Sequence, residues 1–287
     1  MATPQEKLAK SLEKLKALQD KGYTAIRTKE LSRLYRERLL EHGFIKEVIK
    51  GWYIIVSPDE QKGDSTSWYA SYWDFCARYL EERFGEDYCV SAEQSLQIHA
   101  GNTVVPQQLI IRTIKGTNAI TPLVHNTSLF SMKSPLPNNA EIETKNSIRL
   151  LKLPSALVHC TPTMFKQNSV EMRTVLAMVQ DSSEILEVLL EGGHTRIAGR
   201  LAGAFRNIGS DRVANDIIKT MKAAGYDIRE EDPFETPPPI ALSLRDKSPY
   251  VNRIRLMWHT MRAQVIEVFP KAPGIPKDHA VYMKAVE

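Results

Sequence analysis

Residues 22–58 read GYTAIRTKELSRLYRERLLEHGFIKEVIKGWYIIVSP, and the punctuation of this stretch decides the expected fold. Residues 24–27 form a short extended lead-in, Thr28 stands at an N-cap position, and a first helix is predicted through Leu31. After a tight turn, a second helix runs to His42, where Gly43 supplies the stop. Residues 44–48 and 52–56 are rich in β-branched and aromatic residues, and Ile49-Lys50-Gly51 fits the turn of a hairpin between them. Upstream, residues 4–20 place Leu8, Leu12, Leu15 and Leu18 at three- and four-residue spacing, a stripe suited to packing on the helix pair.

Helix, helix, hairpin is the layout of a winged helix-turn-helix. The second helix carries Arg33, Arg36 and Arg38 among the apolar Leu34, Leu39 and Leu40, so one face is expected to pack while the other offers guanidinium groups to a major groove. Lys46 and Lys50 lie near the hairpin tip, where a wing touches phosphate and positions the module without reading sequence. The expected DNA-contacting set is Thr28, Lys29, Arg33, Tyr35, Arg36, Arg38, Lys46 and Lys50. Charge agrees with this. The first 56 residues hold 12 Lys+Arg against 7 Asp+Glu, a balance of +5 in a chain of net +4, so the remainder sums to −1.

The segment LYRERLLEHGFIKEVIKGWYIIVSP resembles the N-terminal winged helix of AbiE-type antitoxins and related bacterial regulators. In those proteins a helix ending in Gly precedes a basic hairpin that closes on Gly-aromatic-Tyr, and Gly43 and Gly51-Trp52-Tyr53 stand at those places. The rest of the chain is similar in general layout to the long N-terminal region that some bacterial Fic-family proteins carry ahead of their catalytic domain. That family's signature for AMP transfer, His-Pro-Phe-x-x-Gly-Asn-Gly-Arg, is absent from all 287 residues. The second resemblance therefore implies a non-catalytic regulatory half of such a protein, with catalysis beyond residue 287.

Composition points to a cytoplasmic globular chain of the α+β class. It is 43% hydrophobic and 25% charged, and no apolar run approaches the roughly 20 residues that span a bilayer. Three cysteines, Cys76, Cys89 and Cys160, lack metal-site spacing and are expected as reduced thiols. No Walker A loop, Gly-x-Gly-x-x-Gly, His-Glu-x-x-His or Gly-x-Ser-x-Gly is present. No cofactor or metal is expected, and no catalytic residue is assigned. His99 and His125 lack partners at ligand spacing, and adjacent side chains in an extended His159-Cys160 would point to opposite faces.

The expected organisation is a module over residues 1–58, an α+β regulatory or partner-binding body over 66–230, a proline-rich linker over 231–247 and a helical extension over 248–287. Residues 68–84 form a helix dense in aromatics, read as core. A short capped helix after Ser91 and strands over 107–114, 121–132 and 147–153 make a small mixed sheet. Residues 169–226 read as consecutive helices capped by Ser169, by an Asp181/Glu184 box, by Thr195 and by Ser210. The small residues Ala198, Gly199, Ala202, Gly203 and Ala204 permit close helix approach. Arg196, Arg200, Arg206 and Arg212 read as a solvated basic face, and Glu230-Glu231-Asp232 as a solvated linker. A long helix after Pro249 sets Val251, Ile254, Trp258, Met261 and Val265 on one face, and Asp278 opens a last helix, HAVYMKAVE.

Two functions of different classes follow. One is an antitoxin-type DNA-binding regulator, its winged helix on double-stranded operator DNA and its body on a toxin-like partner, with the post-linker helix as a candidate homodimer seam. The other is the regulatory half of a Fic-type enzyme, docked on a catalytic domain.

Overall fold

The computed structural model describes residues 3–61, 63–244 and 247–269. Helix α1 (Pro4–Gln19) opens with a reciprocal cap: Thr3 Oγ1 accepts from the Glu6 N–H at 3.2 Å, and the Thr3 N–H donates to Glu6 Oε2 at 2.8 Å. Strand β1 (Ala25–Arg27), a 3-10 turn (Thr28–Glu30), helix α2 (Arg33–Glu41), and strands β2 (Ile45–Ile49) and β3 (Trp52–Ile55) follow. The three strands form one antiparallel sheet in the order β1-β3-β2, in which Ile54 of the central strand faces Ala25 on one side and Lys46 on the other. Leu15, Leu18, Ile26, Leu31, Leu39, Ile45 and Tyr53 close a core between α1, α2 and this sheet.

Two expectations fail in this module. Thr28 caps no helix: the predicted first helix is a single 3-10 turn, and the Thr28 hydroxyl instead donates to Gly51 O at 3.0 Å. The cap belongs to Ser32, whose Oγ accepts from the Tyr35 N–H at 3.4 Å and starts α2. The apolar face of α2 is also narrower than expected. Leu39 is buried, while Leu34 and Leu40 face outward, because a nine-residue helix on a three-stranded sheet has one contact line to fill.

Helix α3 (Thr66–Phe84) lies against β1 and β3 and buries Trp68, Tyr72 and Phe75. Trp52 of β3 meets Phe75 edge-on, with centroids 5.7 Å apart at 82°. Polar contacts join the same elements: Asp74 Oδ2 accepts from the Thr24 N–H (2.8 Å), the Thr24 hydroxyl (2.9 Å) and the Ala25 N–H (2.9 Å), and Arg78 donates to Ala25 O and Glu30. The aromatic helix is core, as its sequence implied.

Strand β4 (Cys89–Val90), helix α4 (Ala92–His99) and strands β5 (Gln108–Thr113), β6 (Ala119–Pro122) and β7 (Ser128–Lys133) build a four-stranded sheet in the order β4-β5-β7-β6, with β5 and β7 parallel. The single strand expected over 121–132 is two, because His125 and Asn126 adopt left-handed φ of 53° and 56° and reverse the chain. Strands β8 (Ile142–Lys145) and β9 (Ile148–Leu151) pair through a similar reversal at Asn146-Ser147. Expectation supplied β9 and missed the polar β8.

Helices α5 (Leu153–His159), α6 (Thr163–Gln167), α7 (Ser169–Met178), α8 (Ser183–Gly192), α9 (Thr195–Asn207) and α10 (Asp211–Ala223) form the largest core, around Phe165, Leu176, Leu189, Phe205 and Ile217. Their ends correct the expected caps. Asn168 rather than Ser169 precedes α7, and Asp181 accepts from Ser183 N–H and Oγ without forming the box with Glu184. His159 ends a helix rather than lying in an extended segment.

Residues 228–236 are a strap: Glu230, Glu231 and Asp232 are exposed, as expected, but the backbone beneath them is packed on the helices. Phe234 is buried beside Phe165 and beneath the Arg173 guanidinium, and the Glu231 N–H donates to Gly199 O at 3.2 Å. A Cβ at Gly199 would lie 2.0 Å from Arg229 O, and one at Gly203 2.2 Å from Glu231 O. The small residues of α9 thus admit extended backbone, not another helix. After the strap, α11 (Tyr250–Val268) packs on α7 through Leu256, and its buried Asn252 exchanges two 2.8 Å hydrogen bonds with the Ser243 backbone. Of the apolar face expected on this helix, Val251, Ile254, Trp258 and Met261 are exposed and Val265 is half-buried. The helix predicted after Asp278 lies outside the described residues.

Candidate nucleic-acid interface

The eight residues singled out from sequence divide into groups. Thr28 is a hub: its N–H (2.9 Å) and hydroxyl (3.0 Å) both donate to Gly51 O, and its own carbonyl accepts from Arg36 Nη1 at 3.4 Å. The 3-10 turn, the hairpin tip and α2 are thereby tied at one point. Gly51 makes this possible. Its φ of 87° is in the region other residues avoid, and it presents the carbonyl toward Thr28. The Arg36 guanidinium also lies 5.8 Å above the Tyr53 ring, so it is held on two sides with donors left over.

Arg33 is one turn earlier on α2. Its side chain is 82% exposed and makes a 2.7 Å pair with Glu37, which raises the guanidinium pKa above its ordinary value. An exposed pair of this kind is screened by salt and opens readily, so Glu37 holds Arg33 without consuming it. Lys46 and Lys50 project into solvent from β2 and the hairpin turn. Lys29 sits 3.8 Å from Glu82 of α3, a partner it shares with Arg27. Glu47 tempers the tip, accepting from the Gly51 N–H at 3.4 Å.

Two of the expected residues are not part of this group. Arg38 donates to Lys7 O on α1 at 3.4 Å, and Tyr35 packs against the core shared by α1, α2 and the hairpin. Sequence reading missed Leu34, which is 63% exposed beside Arg33. A leucine in an amphipathic run reads as core by default. The signal that could have exposed it was the shortness of α2, which leaves one buried line.

The second arginine set behaves differently. Arg206 makes a two-pronged contact with Glu230 (Nε to Oε1 2.6 Å, Nη2 to Oε2 3.1 Å) and also reaches Asp211 and Asn215. Arg212 donates to Gln180 O at 2.8 Å. Arg200 lies over the Phe165 ring. Arg196 and Arg200 line a cavity of about 630 Å3 with Lys166 and Arg229, where four carboxylates from Asp227, Glu231, Asp232 and Glu235 balance the four cations. The formal charges of this lining cancel. A second cavity of about 680 Å3, between β8, α5 and α8, is acidic, with Glu141, Glu143, Glu184, Glu187 and Glu191 against Lys152 and His99.

Among the described residues no group of His, Cys, Asp and Glu is placed to hold a metal ion. Cys76, Cys89 and Cys160 are unbridged and buried, and burial pushes the Cys89 and Cys160 thiols up to about 12, away from the thiolate needed for attack. His159 turns to Glu141 at 3.3 Å rather than to Cys160. No described helix is long and apolar enough to cross a membrane. Comparison with protein-family models and with characterised proteins returns no match to this sequence.

Proposed function

We propose that residues 3–58 are a winged helix-turn-helix that binds double-stranded DNA, α2 entering the major groove and the β2–β3 hairpin resting on a flanking phosphate backbone. The observation that supports this reading is the three-way lock at Thr28. It fixes the hairpin tip relative to α2 while Arg33, Lys46 and Lys50 stay exposed. Pre-organised cations on two elements suit a rigid duplex, since little side-chain or loop ordering is left for the moment of binding. Arg33 and Arg36 are the base readers of this proposal, with Leu34 beside them for a thymine methyl. Lys46, Lys50 and Lys29 position the backbone.

The α3 grip on β1 makes the module a rigid outgrowth of the body rather than a tethered bead. The body then serves, as in antitoxin-type regulators, to hold a protein partner, and its acidic cleft repels a duplex from that surface.

Selection of bound duplexes from a random library, followed by affinity measurement at two salt concentrations, tests the reading. Enrichment of a discrete motif that still outcompetes scrambled duplex at the higher salt is the expected result. Equal, steeply salt-dependent binding to every duplex would reduce the module to a basic surface.

A further inference from the structure

A cavity of about 330 Å3 opens where four elements meet. Trp73 of α3, Gly101 after the end of α4, Lys145 and Ile148 of the β8–β9 hairpin, and Pro249-Tyr250 at the start of α11 all border it. In the two larger cavities carboxylates match or outnumber cations. Here, among the described residues of the lining, Lys145 is the one charged side chain and no carboxylate is present.

The walls are held from outside the cavity. The Trp73 indole N–H donates to Thr103 O at 3.4 Å, and the Tyr72 ring meets the indole edge-on, with centroids 5.2 Å apart at 88°. Gly101 admits the second ring. Its φ is 74°, and a Cβ there would lie 3.0 Å from Tyr250 Cε1 and 3.3 Å from Pro249 Cγ. Arg253 Nη1 donates to Gly101 O at 3.0 Å and so fastens α11 to the same turn. Trp73 and Tyr250 make no ring contact with each other, so two aromatic rings border a space that neither fills. Lys145 has a single hydrogen bond, to Ile98 O at 3.5 Å, and no ion pair. Two of the three ammonium donors are thus uncommitted.

We propose that this cavity binds a small planar aromatic carboxylate of one or two rings. Its volume is at the low end for ligand sites, which suits a molecule of about twelve non-hydrogen atoms. The aromatic and apolar walls receive the ring, and the half-buried Lys145 receives the carboxylate, where an ion pair is less screened than on the open surface. One cation answers one charge. A phosphate would bring more charge to the C-terminal end of α4, whose carbonyls disfavour anions, and offers no ring to the walls. An aromatic amine would meet the ammonium of Lys145 with like charge. The site uses no residue of the N-terminal module, so it stands apart from the DNA-binding reading and is tested without duplex.

Isothermal titration of the full chain with indole-3-carboxylate and with 2-naphthoate is expected to show saturable single-site binding, with a dissociation constant on the order of 100 μM for ligands of that size. Indole-3-carboxamide lacks the charge and cyclohexanecarboxylate lacks the flat ring; each should bind roughly tenfold more weakly or worse. Lys145→Met should weaken the carboxylate by about the same factor and leave the carboxamide unchanged, and Lys145→Arg should restore most of the affinity. Of the indole N–H signals from the four tryptophans, that of Trp73, assigned with Trp73→Phe, should move on titration while that of Trp258 stays fixed. No saturable binding of either carboxylate up to about 5 mM, weaker than any specific site, overturns the proposal. So does a carboxamide that binds as tightly as its acid, an affinity that Lys145→Met does not alter, or a titration that moves Trp258 and not Trp73.

Discussion

The chain holds two arginine sets that look alike on paper and differ in what holds them. In α9 and α10, Arg206 and Arg212 are engaged by Glu230, Asp211, Asn215 and the Gln180 carbonyl, while Arg196 and Arg200 share a cavity with Lys166, Arg229 and four carboxylates. In the N-terminal module, Arg33 has one exposed partner and Arg36 has one carbonyl and one ring. Arg206 fastens the strap to α9, and Arg212 ties α10 to the link between α7 and α8. On the proposed reading, the second set is held for contact with DNA. Counting Lys and Arg along a sequence does not separate these cases; the partner of each guanidinium does.

Substitutions in each region should fail in different currencies, stability for one and affinity for the other. The largest effect expected is for Gly203→Ala, which forces a methyl within 2.2 Å of Glu231 O and must lift the strap. A loss of about 3 kcal/mol in denaturant unfolding is predicted, of the order seen for overpacked sites. Asp74→Ala comes next. It strands the Thr24 and Ala25 donors and should lower stability by about 2 kcal/mol, as lost hydrogen bonds to a charged group do. Amide exchange should localise that loosening to β1.

Affinity changes are smaller and leave folding alone. Arg33→Ala should weaken binding to the selected duplex by roughly tenfold and flatten base preference at one position, with an unchanged melting temperature. Lys50→Ala should weaken binding evenly across sequences and reduce the salt slope by about one. If Arg206→Ala lowered DNA affinity as much as Arg33→Ala did, without destabilising the chain, the contrast between the two sets would be lost.

The smallest effect is one of pH. Burial lowers the His99 pKa below its ordinary 6.5, outweighing the hydrogen bond to Leu151 O and the nearby Glu143 carboxylate, while Lys145 adds to the lowering. The unfolded chain then binds the proton first, so stability should decline as pH falls from about 6.5 and hold above it. His99→Gln should flatten that stretch of the stability profile.

Much of the architecture could be read from residue patterns. The hairpin, the aromatic α3 and the helix order from α7 to α11 follow from periodicity and from glycine or N-cap punctuation. What was not legible depended on tertiary partners. Thr28 looked like a cap, but Gly51, 23 residues away, takes its hydroxyl. Glu230 to Asp232 are exposed, as their composition implied, but that Gly199 and Gly203 leave a channel for the strap's backbone was not readable locally. In the candidate interface, Arg33, Lys46 and Lys50 were legible as exposed cations of an amphipathic helix and a hairpin, while the half-buried Arg36 is held by Thr28 O and the Tyr53 ring. Arg38 and Tyr35 turn toward α1 and the shared core, because α1 packs across that side of α2 and no local pattern reveals it.

Amide hydrogen exchange on the full chain, with and without the duplex selected by the protein, would test the central claim most directly. The account predicts slowed exchange over residues 28–51 and no change over 196–212. Protection of the α9–α10 surface with none at α2 and the hairpin would contradict it.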